Sequence, residues 1–207
     1  GSLTYGEYVV EGESTDEVLI SCHTCHPSLC NDNLSGIALA TYLARHIAQI
    51  KAAGAKPRYT YRFLFIPGTI GSITWLARNE ATAKNIKHGL VVVCVGDAGK
   101  FSYKTSRQGD ALIDLAAKHV LTSEAVTFNL IDFFPYGYDE RQYCSPGFNL
   151  AVGSLSRSTH GKFPEYHSSA DDLSFVNGKQ MAESLAVYMK VLDVLENDQV
   201  LLNQNPK

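Results

Sequence analysis

Twelve consecutive residues, Cys22-His23-Thr24-Cys25-His26-Pro27-Ser28-Leu29-Cys30-Asn31-Asp32-Asn33, hold the densest concentration of groups able to bind a metal or move a proton. Imidazole and carboxylate together suit zinc. The run begins where the apolar stretch Val18-Leu19-Ile20-Ser21 ends. In open α/β sheets ligands collect at such strand ends. One histidine in a loop is ordinarily a polar surface residue, so the weight falls on the combination.

Two other readings compete for the same residues. Cys22-x-x-Cys25-His26 spells the c-type haem attachment pattern. Haem attachment takes two thioethers in a small exported domain, whereas Cys22 belongs to a run that reads as an interior strand. A zinc knuckle on Cys22, Cys25 and Cys30 lacks the second Cys or His pair that completes four ligands.

Further along, Val95-Gly96-Asp97-Ala98-Gly99 offers a carboxylate just past another apolar run, although an Asp among glycines also suits a turn. His167 is followed four residues later by Asp171. A metal-bound His commonly gives its other N–H to a carboxylate, a role open to Asp171; the same stretch also suits a helix cap. Tyr103, Lys104 and Arg107 could hold a substrate carboxylate or phosphate, or Lys104 and Arg107 could be plain surface cations. Tyr136, Tyr138, Tyr143 and Tyr166 interleave with these loops and either line a pocket or cover the sheet edge.

The elements that must position these groups follow from periodicity. Residues 3–12 alternate apolar and polar as a half-buried strand does, and 18–22, 62–66 and 90–95 are short, nearly continuous apolar strands. Val126 to Ile131 and Leu150 to Val152 also read as strands. Ile37, Leu39, Ala40, Leu43, Ile47 and Ile50 recur at helical spacing and predict a helix over 34–52. Further helices are expected over 72–79, over 110–119 with Asp110 as cap, and over 180–195. Alternating strands and helices predict an α/β fold with a mixed, mostly parallel central sheet flanked by helices. The aperiodic polar stretches 132–148 and 153–177 are long for a compact domain, and such loops are usually functional.

At 207 residues, with 45% hydrophobic and 19% charged residues, the chain suits a single domain over 1–207. A net charge of -3 without a Lys/Arg-rich run argues against nucleic acid. No apolar run approaches the about 18 residues that span a bilayer, and no signal peptide opens the chain. Five cysteines suit a reducing, cytoplasmic setting better than a disulfide framework.

Taken together and in order, these segments resemble the zinc aminopeptidases of the di-zinc exopeptidase clan. That family has an apolar strand ending in His-x-Asp, then Asp-Asn-x-Ser-Gly opening a helix. Val18 to Cys25 is similar to the first, with Cys25 in place of the Asp, and Asp32-Asn33-Leu34-Ser35-Gly36 to the second. Val95-Gly96-Asp97 is similar to the third ligand's strand end, and Tyr166-His167-Ser168-Ser169-Ala170-Asp171 to the closing His-Thr-x-x-Asp. The strings His23-x-Cys25-His26-Pro27, Pro67 to Ser72, Tyr103-Lys104-x-Ser106-Arg107 and Asp139 to Tyr143 look more narrowly like a bacterial aminopeptidase-like family encoded beside surface-polysaccharide genes.

The resemblance implies a zinc hydrolase acting on a terminal amide bond of a small peptide or amide substrate. One zinc ion is expected, two being possible in the family. It also implies Asp32, Asp97, His167 and either His23 or His26, or both, as ligands, with Asn33 and Asp171 supporting them. A helix and a strand normally precede the position of Leu3, so truncation at the N-terminus is expected.

The family's Glu-Glu pair is absent: that region reads Phe65-Ile66-Pro67-Gly68-Thr69-Ile70-Gly71-Ser72. Such a hydrolase needs a carboxylate near the reacting water. Glu140 is the expected base, with Asp139 beside it as a second expected catalytic carboxylate and Glu80 and Glu165 behind them. A binding module that keeps the metal without the reaction, and an amidohydrolase of N-acylated non-peptide substrates, are the alternatives.

Overall fold

Val18, Ile20 and Cys22 face one side of a strand and Leu19 the other, and both sides are covered by apolar side chains. That strand lies in the interior of the sheet of the computed structural model, which describes residues 1–124 and 126–199. Position 125 and the stretch 200–207, part of the span assigned to the single domain, lie outside the described residues. The strands are β1 (Gly6–Val10), β2 (Glu17–His23), β3 (Thr60–Ile66), β4 (Ile86–Val92), β5 (Phe101–Lys104), β6 (Phe128–Ile131) and β7 (Val152–Ser156). They form one sheet in the order β1-β3-β2-β4-β7-β5-β6. The run β3-β2-β4-β7 is parallel, β1 is antiparallel to β3, and β5 is antiparallel to β7 but parallel to β6.

The helices are α1 (Gly36–Ala52), α2 (Ile70–Arg78), α3 (Glu80–Ala83), α4 (Leu112–Ser123), α5 (Glu140–Tyr143) and α6 (Gly178–Asn197). Residues of α1, α4 and α6 pack on the face shown by Val18, Ile20 and Cys22; those of α2, α3 and α5 pack on the face shown by Leu19. Each fully buried Leu or Ile of these faces contributes about 1.5–3 kcal/mol. The expected α/β class, with its mixed, mostly parallel sheet, is the architecture observed. Among the described residues no helix is long and apolar enough to cross a membrane.

Several boundaries differ from the periodic reading, each for a local reason. β4 stops at Val92 instead of Val95, because Cys94 takes a left-handed backbone (φ 48°) and its N–H turns to Asn33 Oδ1. β7 runs on to Ser156, where a loop was expected; Gly153 makes room, since a Cβ there would fall 2.3 Å from the Tyr103 hydroxyl oxygen. Asp110 does not cap α4. Asp114 instead accepts from the Ala111 N–H and from the Ser106 N–H and hydroxyl. β5 alternates apolar and polar in Phe101-Ser102-Tyr103-Lys104, but at four residues the run is short and was not anticipated.

Candidate metal centre

The C-terminal ends of the parallel strands face one edge, and β2 delivers His23 there, 4% exposed. The chain then loops through Cys25 and His26 and winds into the irregular helical turn Cys30–Ser35, in which Asp32 and Asn33 depart from helical geometry. Asn33 ties this turn to two strand ends, its Nδ2 donating to the Val92 carbonyl and its Oδ1 accepting from the Cys94 N–H. Asp32 is fully buried, yet its carboxylate meets three imidazoles. Oδ1 lies 2.7 Å from His23 Nε2; Oδ2 lies 3.0 Å from His167 Nε2 and 3.9 Å from His26 Nε2.

Two donor triads follow from this packing. His26, Asp32 and His167 place their ligand atoms within 4.8 Å of one another, and so do His23, Cys25 and His26. Burial opposes the charge on Asp32, but the hydrogen bond with His23 and the fields of all three imidazoles outweigh it and hold the carboxyl below its usual range. Burial lowers the His26 imidazole, with His167 and His23 adding to the effect against Asp32. An ionised carboxylate beside an imidazole that resists protonation is the state in which such groups ligate. Nitrogen, oxygen and sulfur donors at this spacing fit zinc.

Asp171 plays a part different from the one expected of it. It was expected to take the other N–H of His167. Instead its Oδ1 accepts the Asn31 N–H at 2.6 Å and its Oδ2 the Asp32 N–H at 2.9 Å. His167 itself has a left-handed backbone (φ 54°), and its ring stacks on Tyr166 at 3.9 Å. A positive φ at a non-glycine residue is costly and collects at functional sites.

Asp97 is not brought to the imidazoles. Its Oδ1 accepts from Gly99 N–H and the Ser158 hydroxyl, and its Oδ2 from Asn31 Nδ2 and Ser158 N–H. Its place is to brace Asn31, and through it the turn that carries Asp32.

Where the resemblance has glutamates, the turn after β3 offers backbone amides. Gly68 N–H donates to Cys25 Sγ, and Thr69 N–H, from a left-handed residue (φ 62°), donates to Asp139 Oδ1 at 2.7 Å. The Ser72 hydroxyl adds a second bond to Asp139 Oδ1. Asp139 is 2% exposed, and burial raises its pKa against these donors. It lines a cleft of about 170 Å³ together with His23, Asp32, Tyr138, Tyr166 and His167.

Glu140 points elsewhere. It lines an adjacent cavity and pairs there with Lys104 Nζ at 2.9 Å. Tyr103 is fully buried, its hydroxyl donating to Asp114. Arg107 is exposed and borders, with Arg141, a separate groove. Glu80, at the start of α3, and Glu165 do not line the cleft. Tyr138 does: its ring stacks on His23 at 5.4 Å. Cys22 is buried in the core, which removes it from haem attachment and from a zinc knuckle, and all five cysteines are free. Cys25, weighed in sequence as part of the haem pattern and of a zinc knuckle with Cys22 and Cys30, instead faces His23 and His26. His160, packed edge-on against Tyr138 at 5.1 Å, was not singled out by sequence, since it sits in an aperiodic loop where no spacing marks it.

Comparison with known proteins bears on this arrangement. The family description "Domain of unknown function (DUF4910)" matches residues 1–198. A Clostridium acetobutylicum protein, named provisionally as a polysaccharide biosynthesis protein with aminopeptidase-like domain, is 53% identical over 207 residues. The match takes in 100% of this chain and 46% of that protein, so the chain spans about half the length of the relative. A crystal structure of a provisionally named peptidase from the same organism superposes with TM-score 0.93 at 52% identity, over 98% of this chain and 47% of that one. A zinc aminopeptidase from Bacillus subtilis shares the fold, with TM-score 0.73 at 15% identity over 91% of this chain and 49% of its own.

Proposed function

This chain belongs to the family described as domain of unknown function DUF4910, and on that premise we propose that it is a zinc-dependent hydrolase of the aminopeptidase type, cutting an amide bond at the end of a peptide or peptide-like substrate. The observation that carries the reading is the buried Asp32 carboxylate bracketed by His23, His26 and His167, with Asp139 in the same cleft. The name of the 53% identical relative, an aminopeptidase-like domain, supports the reaction class.

His26, Asp32 and His167 would hold one ion, with His23 and Cys25 as further donors beside it. Zinc bound there supplies Lewis acidity toward a substrate carbonyl and acidifies water. The rest is the work of the chain. Asp139, rather than the expected Glu140, takes the proton from water and returns it to the leaving amine. Its burial favours that role, because a carboxyl raised toward neutrality is a better base and acid at working pH. Thr69 and Ser72 fix Oδ1 and so orient the carboxylate. Tyr138 and Tyr166 wall the cleft and limit water to the reacting position.

The test is zinc content by mass spectrometry together with turnover of aminoacyl anilides, dipeptides and N-acyl sugars. Asp139→Asn is expected to keep the zinc and lose about 10²–10⁴ in kcat. Failure of the folded protein to retain zinc after reconstitution overturns the reading. Retained zinc with no turnover of any substrate class replaces it with a metal-containing binding module.

A further inference from the structure

The cavity that receives Glu140 is larger than the metal cleft, about 250 Å³ against about 170 Å³. The partition between them is thin. Tyr138 lines both, and Asp139 faces the cleft while Glu140, the next residue, faces the cavity. Gly137 completes the partition at φ 149°, where a Cβ would fall 2.4 Å from Glu140 Oε1 and 3.0 Å from Lys104 Nζ. A substrate whose scissile bond lies at the metal cleft therefore has this cavity within reach of the group next to that bond.

Its polar lining is unusual for a pocket built to take an aliphatic side chain. Glu140 is fully buried; Oε1 accepts from Lys104 Nζ and the Tyr138 N–H, whereas Oε2 is buried with no hydrogen-bond partner among the described residues. Lys104 is 7% exposed and directs two of its three donors to Glu140 and the Tyr136 carbonyl. Ser154 and Ser156 add buried hydroxyls to the same wall. A buried acceptor without a donor is costly, and a ligand that supplies the donor recovers that cost.

The charge balance narrows what the donor can be. Lys104 already neutralises Glu140, and Lys162 stands on the cavity wall, so an incoming ammonium meets one uncompensated cation. An incoming ionised carboxylate brings no donor to Oε2. An aliphatic group leaves Oε2 unpaired. A neutral hydroxyl meets none of these objections.

Resting on the hydrolase reading, we propose that this cavity is the subsite for the group on the acyl side of the scissile bond, and that the Lys104–Glu140 pair selects a neutral, hydroxyl-bearing group there. The hydroxyl can belong to an amino-acid side chain or to a sugar, and the two sources are separable by experiment. One arm compares threonyl and valyl p-nitroanilides, which differ by hydroxyl against methyl. The other compares gluconyl and hexanoyl p-nitroanilides, which place a sugar-acid chain and an aliphatic chain on the acyl side.

In at least one arm the hydroxylated member is expected to win by at least about tenfold in kcat/KM, since a site built around a buried polar group rejects the analogue that leaves it unpaired. A preference in the first arm identifies a hydroxy-amino acid, and one confined to the second a sugar. The preference should vanish in the double variant Lys104→Met/Glu140→Leu, which removes both charges and keeps the volume. Glu140→Gln, expected to shrink the ratio, serves if the double variant does not fold. Should the zinc-loaded protein turn nothing over, only the hydrolase reading fails, and the same ratios are read as Kd by calorimetry with threonine amide, valine amide, gluconamide and hexanamide. Equal or reversed preference in both arms, or a preference unchanged in the variants, overturns the subsite.

Discussion

Asp171 grips Asp32 by its backbone, Oδ2 accepting the Asp32 N–H at 2.9 Å while Oδ1 accepts that of Asn31 at 2.6 Å. A carboxylate placed in this way fixes the direction of the Asp32 side chain without touching its oxygens. Asp171→Ala is therefore expected to weaken zinc binding about 10–100-fold, the usual cost of losing a partner that orients a ligand. Competition against a chromogenic chelator measures this, and wild-type affinity in the folded variant would refute the orienting role.

His26 belongs to both donor triads, Cys25 to only one. Removing the shared donor should do more harm. His26→Ala is expected to lower zinc stoichiometry and abolish the thermal stabilisation that added zinc gives the wild type, while Cys25→Ser keeps at least one ion. Metal analysis with thermal melts in zinc and in chelator distinguishes the two variants. The reverse ranking would mean that Cys25 is the indispensable donor.

On β4, His88 packs edge-on against Tyr59 at 5.4 Å, and its buried Nδ1 lacks a partner among the described residues. Burial pushes its pKa down to about 4. In the unfolded chain the imidazole regains its ordinary value near 6.5, so between about pH 6.5 and 4 the unfolded state binds more protons. Stability should be insensitive to this group above that window and fall with acidification inside it, by at most about 1.4 kcal/mol per pH unit. Urea melts of His88→Gln should show a shallower decline over the same range; an unchanged slope would clear His88 of the effect.

Arg62 sits on β3 and forks onto Glu17 of the neighbouring β2, Nε to Oε2 at 2.6 Å and Nη2 to Oε1 at 2.8 Å, while Nη1 reaches Glu7 on the opposite neighbour β1. Arg62→Leu strands the buried Glu17 carboxylate and should cost about 3 kcal/mol. A drop of roughly 6–12 °C in Tm follows for a domain of this size. Arg62→Leu/Glu17→Leu should recover most of it, because an apolar pair replaces a buried ion pair at little cost.

The parts of the fold legible in sequence were those whose residues repeat a period. β2, β3 and α1 announced themselves because burial on both faces, or on one helical stripe, dictates apolar residues at fixed spacing. β5 was missed although Phe101-Ser102-Tyr103-Lys104 alternates apolar and polar: four residues are the shortest run that such alternation can mark, and Ser102 and Lys104 face polar partners. In the site, strand ends and paired motifs pointed to His23, Asp32 and His167, and the structure brings these three together. Asp97 and Glu140 have the right chemistry in the right order, but their side chains turn to Ser158 and to Lys104, and no local pattern encodes that choice. Asp139, beside Glu140, faces the cleft because Thr69 and Ser72, about 70 positions away in the chain, hold it there.

The grip of Asp171 on the turn at Asn31 and Asp32 joins segments 140 and 139 positions apart. On the zinc proposal, metal capture would be a late event in the birth of the molecule. A ribosome that has released only the first half of this stretch has already exposed His23, Cys25, His26 and Asp32, but neither the clasp nor His167 exists to gather them. The nascent polypeptide would then compete poorly for zinc, and the finished domain alone would hold the ion.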